Sequence, residues 1–300
     1  MPEWDAEVAI DEQLVRGLLA EQFPALEAGS ARLLGEGWDN AVWLVEERWA
    51  FRFPRRQIAI PGVERELTVL PRLAPLLPVS IPEPRFVGTP SKRFPWPFFG
   101  GALLPGRELA DADLAEDDRR ELGATLGRLL KVLHAPETVA RVDPDGALPV
   151  DFNRRADMAF RGPRTRERLA ELGRPETAEG VELLAEAEAL PPGSGHVLVH
   201  GDLHLRHVLV DGTSMSGVID WGDVCVGDPA IDLQLVWSLL PAARRESFFA
   251  EYGTVDRATG LRARVLAVYL CAMLALYARS VGYASLECES LAGLERALSD

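Results

Sequence analysis

The chain has 300 residues, 47% of them hydrophobic and 26% charged, ordinary values for globular proteins that exclude a disordered or fibrous chain. Its length allows a large core divided between two lobes and excludes a small module held together by disulfides. With 46 acidic against 32 basic side chains, the net charge of −14 argues against a nucleic-acid partner and favours either a small cationic ligand or simple solubility.

The first hundred residues predict a helix followed by antiparallel strands. Apolar residues recur at helical spacing within residues 7–20. A Gly35-Glu36-Gly37 segment then precedes an apolar run, residues 41–45, and an alternating run, residues 49–53, which together indicate a β-hairpin entered by a flexible loop. A second helix is predicted from about Val63 to Leu77. The prolines between residues 78 and 97 allow only short extended segments, so we expect the connector between lobes to end near residue 104.

Beyond residue 104 the pattern becomes mainly helical. Residues 121–134 carry an apolar stripe at helical spacing, and the chain is predicted to be helical from Pro229 to its end. Residues 141–180 are rich in charge and turn formers, and residues 181–190 return to a helical pattern. The predicted fold class is therefore α+β.

Three short apolar runs interrupt this helical part. Residues 197–199, 208–210 and 217–219 predict strands joined by tight loops, with a turn at Asp211-Gly212. The longest apolar run, residues 265–278, is shorter than the ~20 residues that span a bilayer, and it predicts a buried core helix. No membrane partner is expected.

The three cysteines indicate a reducing compartment. Cys225, Cys271 and Cys288 are odd in number and lack CxxC spacing, so neither a disulfide framework nor a zinc ribbon is suggested. A cytoplasmic location is the expected one.

Four of the five histidines lie between residues 196 and 207, and three of them, His200, His204 and His207, lie in a loop between two predicted strands. Asp202 lies in this loop, and Asp220 follows it by eighteen residues at the end of another short apolar strand. Two carboxylates at the ends of neighbouring strands can face one cleft. Phosphoryl transfer uses such a pair, one to orient and deprotonate the attacking hydroxyl and the other to hold Mg²⁺.

The same histidines also allow a zinc site. His200, His204 and His207 have the spacing that aligns three side chains on one face of a helix. Gly201 and the flanking β-branched residues disfavour a helix at this place.

Three motifs follow one another at fixed spacing: His200-Gly201-Asp202, Gly217-Val218-Ile219-Asp220-Trp221 and Gly227-Asp228-Pro229-Ala230-Ile231-Asp232-Leu233. Together they resemble the signature of the aminoglycoside phosphotransferase family, the protein-kinase-like group that also contains macrolide phosphotransferases, choline kinase and fructosamine kinase. The resemblance implies a two-lobed protein-kinase-like fold. It places a small β-rich nucleotide-binding lobe at residues 1–104 and a larger, mainly helical catalytic and substrate-binding lobe at residues 105–300.

The resemblance also implies roles for single residues. Asp202 resembles the catalytic aspartate, Asp220 the metal-binding aspartate, and Asp232 the buried aspartate that holds the catalytic loop. His200 occupies a position that usually braces this loop. The family's metal-binding asparagine corresponds to His207, and Mg²⁺ prefers oxygen ligands. His207 is therefore expected to bind the metal weakly, to act through water or to favour Mn²⁺.

The predicted strand at residues 49–53 carries candidate nucleotide contacts. Its alternation puts Ala50 and Arg52 on one face. In kinases this face offers a small residue to the base and a lysine to the phosphates, and a helix glutamate pairs with that lysine. Neither lysine of this chain lies in the strand, so Arg52 is predicted to contact the phosphates, with Glu66 as its partner.

The segment from Gly35 to Gly37 is predicted to cover the phosphates, although two glycines before a strand also form ordinary turns. Asp151, Asp157 and Glu251 could line an acidic substrate pocket or be simple exposed charges.

The expected function is transfer of the γ-phosphate of ATP or GTP to a hydroxyl of a small molecule, with Mg²⁺ or Mn²⁺ as the metal. The segments Phe51–Arg55 and Phe94–Phe98 most resemble the antibiotic-modifying branch, which implies an aminoglycoside or macrolide acceptor. Both classes are cationic, in agreement with residues 108–300, which carry 32 acidic against 20 basic side chains. A metabolic kinase for sugars, amino alcohols or amino acids and a catalytically inactive nucleotide-binding protein stay open as alternatives. The chain is expected to be a monomer or a homodimer.

Overall fold

Two structural units make up the computed structural model, which describes residues 6–26, 29–37, 39–174 and 178–299. The first unit contains the chain up to Pro75, Ile81–Leu104 and Trp221–Asp223. The second unit contains Leu76–Ser80, Pro105–Asp220 and the chain from Val224 onward. The division at residue 104 coincides with the predicted lobe boundary, whereas residues 76–80 and 221–223 each belong to the other unit. The assignment of nucleotide binding to one unit and catalysis to the other stays a prediction.

A five-stranded antiparallel sheet forms the first unit, in the spatial order β1-β2-β3-β5-β4. The strands are β1 (Ala31–Glu36), β2 (Asn40–Val45), β3 (Trp49–Pro54), β4 (Phe86–Gly88) and β5 (Phe98–Ala102). The predicted hairpin is thus β2 and β3. On β3 the aromatic residues at alternate positions are buried, whereas Ala50 and Arg52 are half-buried on the opposite face.

Aromatic rings and two glycines build the core beneath this sheet. The Phe53 and Phe98 rings stack with centroids 4.7 Å apart. A Cβ at Gly88 would lie 2.1 Å from the Phe98 ring, and a Cβ at Gly100 would lie 2.5 Å from the Phe51 ring. The sheet therefore uses glycine on β4 and β5 where the rings cross the backbone.

Two helices belong to the first unit. Helix α1 spans Glu12–Gln22 and begins at Asp11, whose carboxylate accepts the Leu14 N–H at 2.7 Å. Helix α2 spans Ile60–Leu73, so it begins three residues before the predicted helix and continues as a 3₁₀ turn over Ala74–Leu76. Its buried face contains one charged residue, Glu66.

Eight helices follow in the described part of the second unit. They are α3 (Arg119–Leu133), α4 (Pro136–Val142), α5 (Met158–Glu171), α6 (Ala178–Glu188), α7 (Ala230–Leu239), α8 (Arg245–Tyr252), α9 (Arg257–Val281) and α10 (Ala284–Leu298). Together with the sheet of the first unit they confirm the predicted α+β class, with a β-rich first part and a helical second part.

The strands of the second unit are short and pair antiparallel. They are β6 (Arg107–Glu108), β7 (Val197–Val199), β8 (Val208–Asp211), β9 (Ser214–Val218) and β10 (Cys225–Gly227). Strand β8 lies between β6 and β9, and β7 pairs with β10. The loop of histidines joins β7 to β8, and the predicted turn at Asp211-Gly212 joins β8 to β9, with Gly212 at φ 61°.

Helix α9 contains the longest apolar run. Its 25 residues are long and apolar enough to cross a membrane, yet 61% of its most apolar window is buried inside the protein. It packs against α5, α7 and α10. The helix therefore forms the centre of the second unit, as predicted.

Helix α5 was not predicted, because it lies in the stretch that is rich in charge. Proline at position 163 and many arginines weaken its helical pattern, and its buried face includes the polar residues Arg161 and Thr165. Tertiary contacts stabilise this helix where its apolar pattern is weak. The Arg161 guanidinium lies over the ring of Tyr269, on α9, 4.5 Å from the ring centroid.

Candidate active site

The buried carboxylate of Asp232 fixes the loop between β7 and β8. Asp232, in the first turn of α7, accepts the His200 N–H at 2.8 Å and the Gly201 N–H at 3.1 Å. Gly201 has φ 87°, a conformation that glycine adopts without strain. His134, which follows the last residue of α3, places Nε2 3.3 Å from the same carboxylate, and its Nδ1 lies 2.9 Å from the Tyr252 hydroxyl. Sequence reasoning missed His134, which lies outside the histidine cluster.

His200 braces the loop with both ring nitrogens. Its Nε2 donates to the Ile219 carbonyl at 3.0 Å, and its Nδ1 accepts the Asp202 N–H at 3.2 Å. Burial lowers the pKa of His200, so the ring is neutral in this arrangement. The zinc interpretation that included His200 is wrong, because residues 200–207 are not helical and both nitrogens of His200 are engaged within the protein.

Asp202 presents its carboxylate beside three basic side chains. Its side chain is 32% exposed, with Arg155 Nη2 at 3.7 Å, His204 Nε2 at 3.6 Å and His207 Nδ1 at 3.8 Å. Burial by itself would raise the pKa of Asp202, but the N–H of His204 and the positive charge of Arg155 outweigh it and hold that pKa well below its usual range. The carboxylate is therefore ionised at neutral pH and can accept a proton or a hydrogen bond.

His207 and Asp220 form a mixed nitrogen and oxygen pair. His207 Nδ1 donates to the Asp202 carbonyl at 2.7 Å, which leaves Nε2 without a proton in the neutral ring. Burial lowers the pKa of His207, in agreement with a neutral ring. Nε2 lies 3.5 Å from Asp220 Oδ2. Two electron-pair donors that face each other are the chemistry of a cation site, and this pair fits a divalent ion that accepts one nitrogen ligand.

A second set of donors lies in the same place. Asp202, His204 and His207 each offer one possible ligand atom, and these three atoms lie within 4.8 Å of one another. The His204 and His207 rings stack, with centroids 3.8 Å apart. His204 Nδ1 accepts the Arg206 N–H at 3.3 Å, so its Nε2 carries the proton that faces Asp202. His204 is therefore a donor toward the carboxylate in this arrangement and not a metal ligand.

Asp220 has a strained backbone. Its φ is 65°, in the left-handed region that residues other than glycine rarely adopt. Such a conformation costs about 1–3 kcal/mol and persists only where the surroundings hold it, which is common at functional positions.

The first unit brings together the predicted phosphate contact and its partner. Arg52 Nη1 lies 3.2 Å from Glu66 Oε1, and Glu66 is fully buried. Asn40, at the start of β2, faces the same guanidinium. In the amide orientation that satisfies both groups, Asn40 accepts from Arg52 Nη2 at 2.8 Å. Asn40 was not predicted, and only the register of the hairpin, which pairs Val42 with Arg52, could have indicated it.

The two predicted loop glycines occupy different settings. Gly35 lies inside β1, next to a register shift between Leu33 and Gly35, whereas Gly37 begins the loop. Both are exposed, and a Cβ at Gly35 would meet no described atom within 4 Å. Trp38 lies outside the described residues.

Two consecutive arginines hold this loop. Arg55 donates to the Gly37 carbonyl at 2.7 Å and pairs with Glu36 at 2.6 Å, and Arg56 pairs with Asp39.

Helix α2 also holds the segment after Asp220. Glu66 Oε1 accepts the Trp221 N–H at 3.1 Å. The Gly222 carbonyl accepts from Arg65 Nε at 3.0 Å and from Arg65 Nη2 at 2.5 Å. Sequence reasoning missed both Arg65 and Arg155, since an arginine in a polar stretch carries no signal of its distant partner.

The three carboxylates considered for an acidic pocket have local partners. Asp151 accepts the N–H groups of Arg155 and Ala156. Asp157 caps α5 and pairs with Arg154, which is the main reason that its pKa is lowered. Glu251 pairs with Arg128 at 3.1 Å. These contacts account for the three side chains without a substrate.

Comparison with known families matches residues 30–266 to the phosphotransferase enzyme family (APH). Among characterised proteins, viomycin phosphotransferase of Streptomyces vinaceus is 41% identical over 88 residues, which are 26% of this chain and 30% of that protein. The uncharacterized protein YcbJ of Bacillus subtilis (strain 168) is 25% identical over 232 residues, 73% of each chain.

Solved structures of similar fold cover nearly the whole chain. The GDP complex of aminoglycoside 2′-phosphotransferase-IIIa has a TM-score of 0.71 at 22% identity and covers 97% of this chain and 99% of that one. A macrolide 2′-phosphotransferase from Brachybacterium faecium has a TM-score of 0.62 at 24% identity, over 95% and 97% of the two chains. The fold implied by the family resemblance is confirmed.

Proposed function

Because the chain belongs to the phosphotransferase enzyme family, we propose that it transfers the γ-phosphoryl group of ATP or GTP to a hydroxyl group of a small molecule. The observation that carries this proposal is the ionised Asp202 carboxylate, on a loop fixed by Asp232, beside the facing donors of His207 and Asp220. The reaction needs a proton acceptor and a cation site close together.

Asp202 is the proposed proton acceptor. The acceptor hydroxyl oxygen attacks the γ-phosphorus as the bond to the β-phosphate oxygen breaks, and the nucleoside diphosphate leaves with that electron pair. The hydroxyl proton passes to Asp202. Since the pKa of Asp202 is lowered, the carboxylate first orients the hydroxyl and takes the proton late, when the forming bond to phosphorus has made it acidic.

His207 and Asp220 are the proposed metal ligands, through Nε2 and a carboxylate oxygen. A bound Mg²⁺ or Mn²⁺ would neutralise charge on the phosphate oxygens. Arg155 adds a fixed positive charge near Asp202, where negative charge on the transferring group is also expected.

Arg52 is the proposed phosphate contact in the first unit. Glu66 and Asn40 hold its guanidinium from two sides, which reduces the side-chain freedom lost on binding. Ala50 would face the base, and Gly35 and Gly37 leave the loop backbone open to approach by phosphate oxygens.

The proposed acceptor is an aminoglycoside or a macrolide, and the proposed location is the cytoplasm, where nucleoside triphosphates are available. The similar solved structures include a GDP and kanamycin complex and a macrolide 2′-phosphotransferase, and the net charge of −14 favours cationic acceptors. A coupled assay of nucleoside diphosphate release over aminoglycosides, macrolides and viomycin tests this class. Turnover only with sugars, amino alcohols or amino acids would support a metabolic kinase instead.

Asp202→Asn tests the mechanism. The change keeps the size of the side chain and removes its charge, so we expect kcat to fall by about 10²–10⁴ while the nucleotide dissociation constant changes less than threefold. Asp211→Asn, at the exposed end of β8, is the matched control and should retain full activity. More than a few per cent of activity in Asp202→Asn would place the proton acceptor elsewhere.

A further inference from the structure

One face of helix α2 contacts two consecutive residues, Trp221 and Gly222. Glu66 accepts the N–H of the first at 3.1 Å, and Arg65 donates twice to the carbonyl of the second, at 3.0 and 2.5 Å. Both backbone groups are therefore bonded to charged side chains, and bonds of this kind are stronger than those between neutral groups.

Gly62, one helical turn before Glu66, completes this contact. A Cβ there would lie 3.2 Å from the Gly222 carbonyl oxygen and 3.4 Å from the Gly222 Cα. Positions 62, 65 and 66 have the i, i+3, i+4 spacing that puts side chains on one helix face. Glycine at the first of them lets the backbone of residue 222 approach to the distance at which Arg65 reaches its carbonyl.

The residue that precedes this held pair is Asp220, whose φ of 65° needs support from its surroundings. Trp221 is buried and bonded to Glu66, so the peptide that follows Asp220 cannot turn freely to relieve the strain. The carboxylate of Asp220 in this conformation lies 3.5 Å from His207 Nε2.

We infer that Arg65 is a positioning residue for the metal site: with Glu66 and Gly62 it holds residues 221–222 so that Asp220 keeps the left-handed backbone that presents its carboxylate to His207. This inference rests on the proposed role of His207 and Asp220 as metal ligands. Arg65 itself contacts neither the metal nor the substrate in this proposal.

Arg65→Gln is the first test, with Mn²⁺ as the probe. Electron paramagnetic resonance of free Mn²⁺ measures its binding to the full-length protein without any turnover. We expect the Mn²⁺ dissociation constant to rise about tenfold, while nucleotide binding in EDTA changes less than twofold. Arg65→Lys, which can still donate to one carbonyl, should recover most of the affinity. Arg72→Gln, at an exposed position of the same helix, is the matched control and should bind Mn²⁺ like the wild type.

Gly62→Ala is the second test, and it separates positioning from a general loss of structure. Alanine favours a helix over glycine, and this gain opposes the cost of the closer contact with Gly222, so the melting temperature should change by less than about 4 °C. The added methyl group pushes on the Gly222 carbonyl, so Mn²⁺ binding should weaken all the same.

Three results would overturn the inference: unchanged Mn²⁺ affinity in Arg65→Gln, a loss of Mn²⁺ affinity that only follows a loss of folded protein, or a wild type that does not bind Mn²⁺. A wild type that binds Mn²⁺ through Asp220 and transfers no phosphate would instead contradict the proposed function. In that case the Mn²⁺ measurements on the variants still decide the role of Arg65.

Discussion

His207 has different neighbours at its two ring nitrogens. Nδ1 donates to a backbone carbonyl 2.7 Å away, and Nε2 faces the Asp220 carboxylate. An asparagine at this position could donate through its amide N–H and offer an oxygen, which Mg²⁺ prefers to nitrogen. In the proposed metal site, the imidazole would therefore change which metal is preferred without moving the site.

His207→Asn should keep or raise kcat with Mg²⁺. Relative to kcat with Mg²⁺, kcat with Mn²⁺ should fall. Steady-state kcat with each metal at saturation measures this ratio. Complete loss of activity with both metals would show that the imidazole does more than bind a cation.

Single residues also mark where the sequence was informative. Asp202, His200 and Asp232 lie in motifs of fixed spacing, so local pattern and family resemblance indicated that they act together. Arg155 and Arg65 bond to partners 47 and 157 residues away, and nothing in the adjacent sequence specifies those partners. Their roles depend on tertiary structure, which periodicity does not encode.

At the scale of elements, the sheet of the first unit depends on aromatic rings that lie over glycine backbone. Gly100→Ala would put a Cβ 2.5 Å from the Phe51 ring, which is fully buried and has no space to move. We expect a loss of about 1–3 kcal/mol in the free energy of unfolding, measured by urea denaturation. Gly35→Ala, whose Cβ would meet open space, is the control for stability and should change it by less than about 0.5 kcal/mol. Equal stability of the two variants would contradict this account of the core.

Elements with a clear apolar period were predicted from the sequence, and the others were not. Strand β2 is a continuous apolar run and β3 alternates, and both were predicted within about one residue. Helix α5 buries arginine and threonine, so its pattern resembles that of an exposed loop. The β-bulge that puts Gly35 inside β1 is set by strand pairing, and the glycines alone indicated only a turn.

At the scale of the whole molecule, the buried neutral histidine of the loop between β7 and β8 links folding to pH. Burial lowers the pKa of His200 in the folded protein, whereas an unfolded histidine has a pKa of about 6.5. The unfolded chain therefore binds more protons below that pH, and stability falls as the pH falls. Above about pH 7, His200 adds nothing further to the pH dependence of stability.

Thermal melts between pH 5 and 8 measure this effect. The wild type should lose stability below about pH 6.5, and His200→Gln should show a shallower fall, whatever its stability at neutral pH. His196→Gln, at an exposed position, should keep the wild-type slope. Identical slopes in all three proteins would assign the dependence to other groups.

The three residues Trp221–Asp223, counted with the first unit, have a practical consequence for dissecting the protein. A fragment that stops at residue 104 contains helix α2 but lacks the backbone groups that Glu66 and Arg65 bond. In such a fragment the buried Glu66 carboxylate loses the hydrogen bond that it accepts from the Trp221 N–H. The Arg65 guanidinium loses the Gly222 carbonyl to which it donates. A chain cut after residue 104 therefore lacks part of the first unit, and a fragment meant to keep these contacts needs residues 221–223 as well.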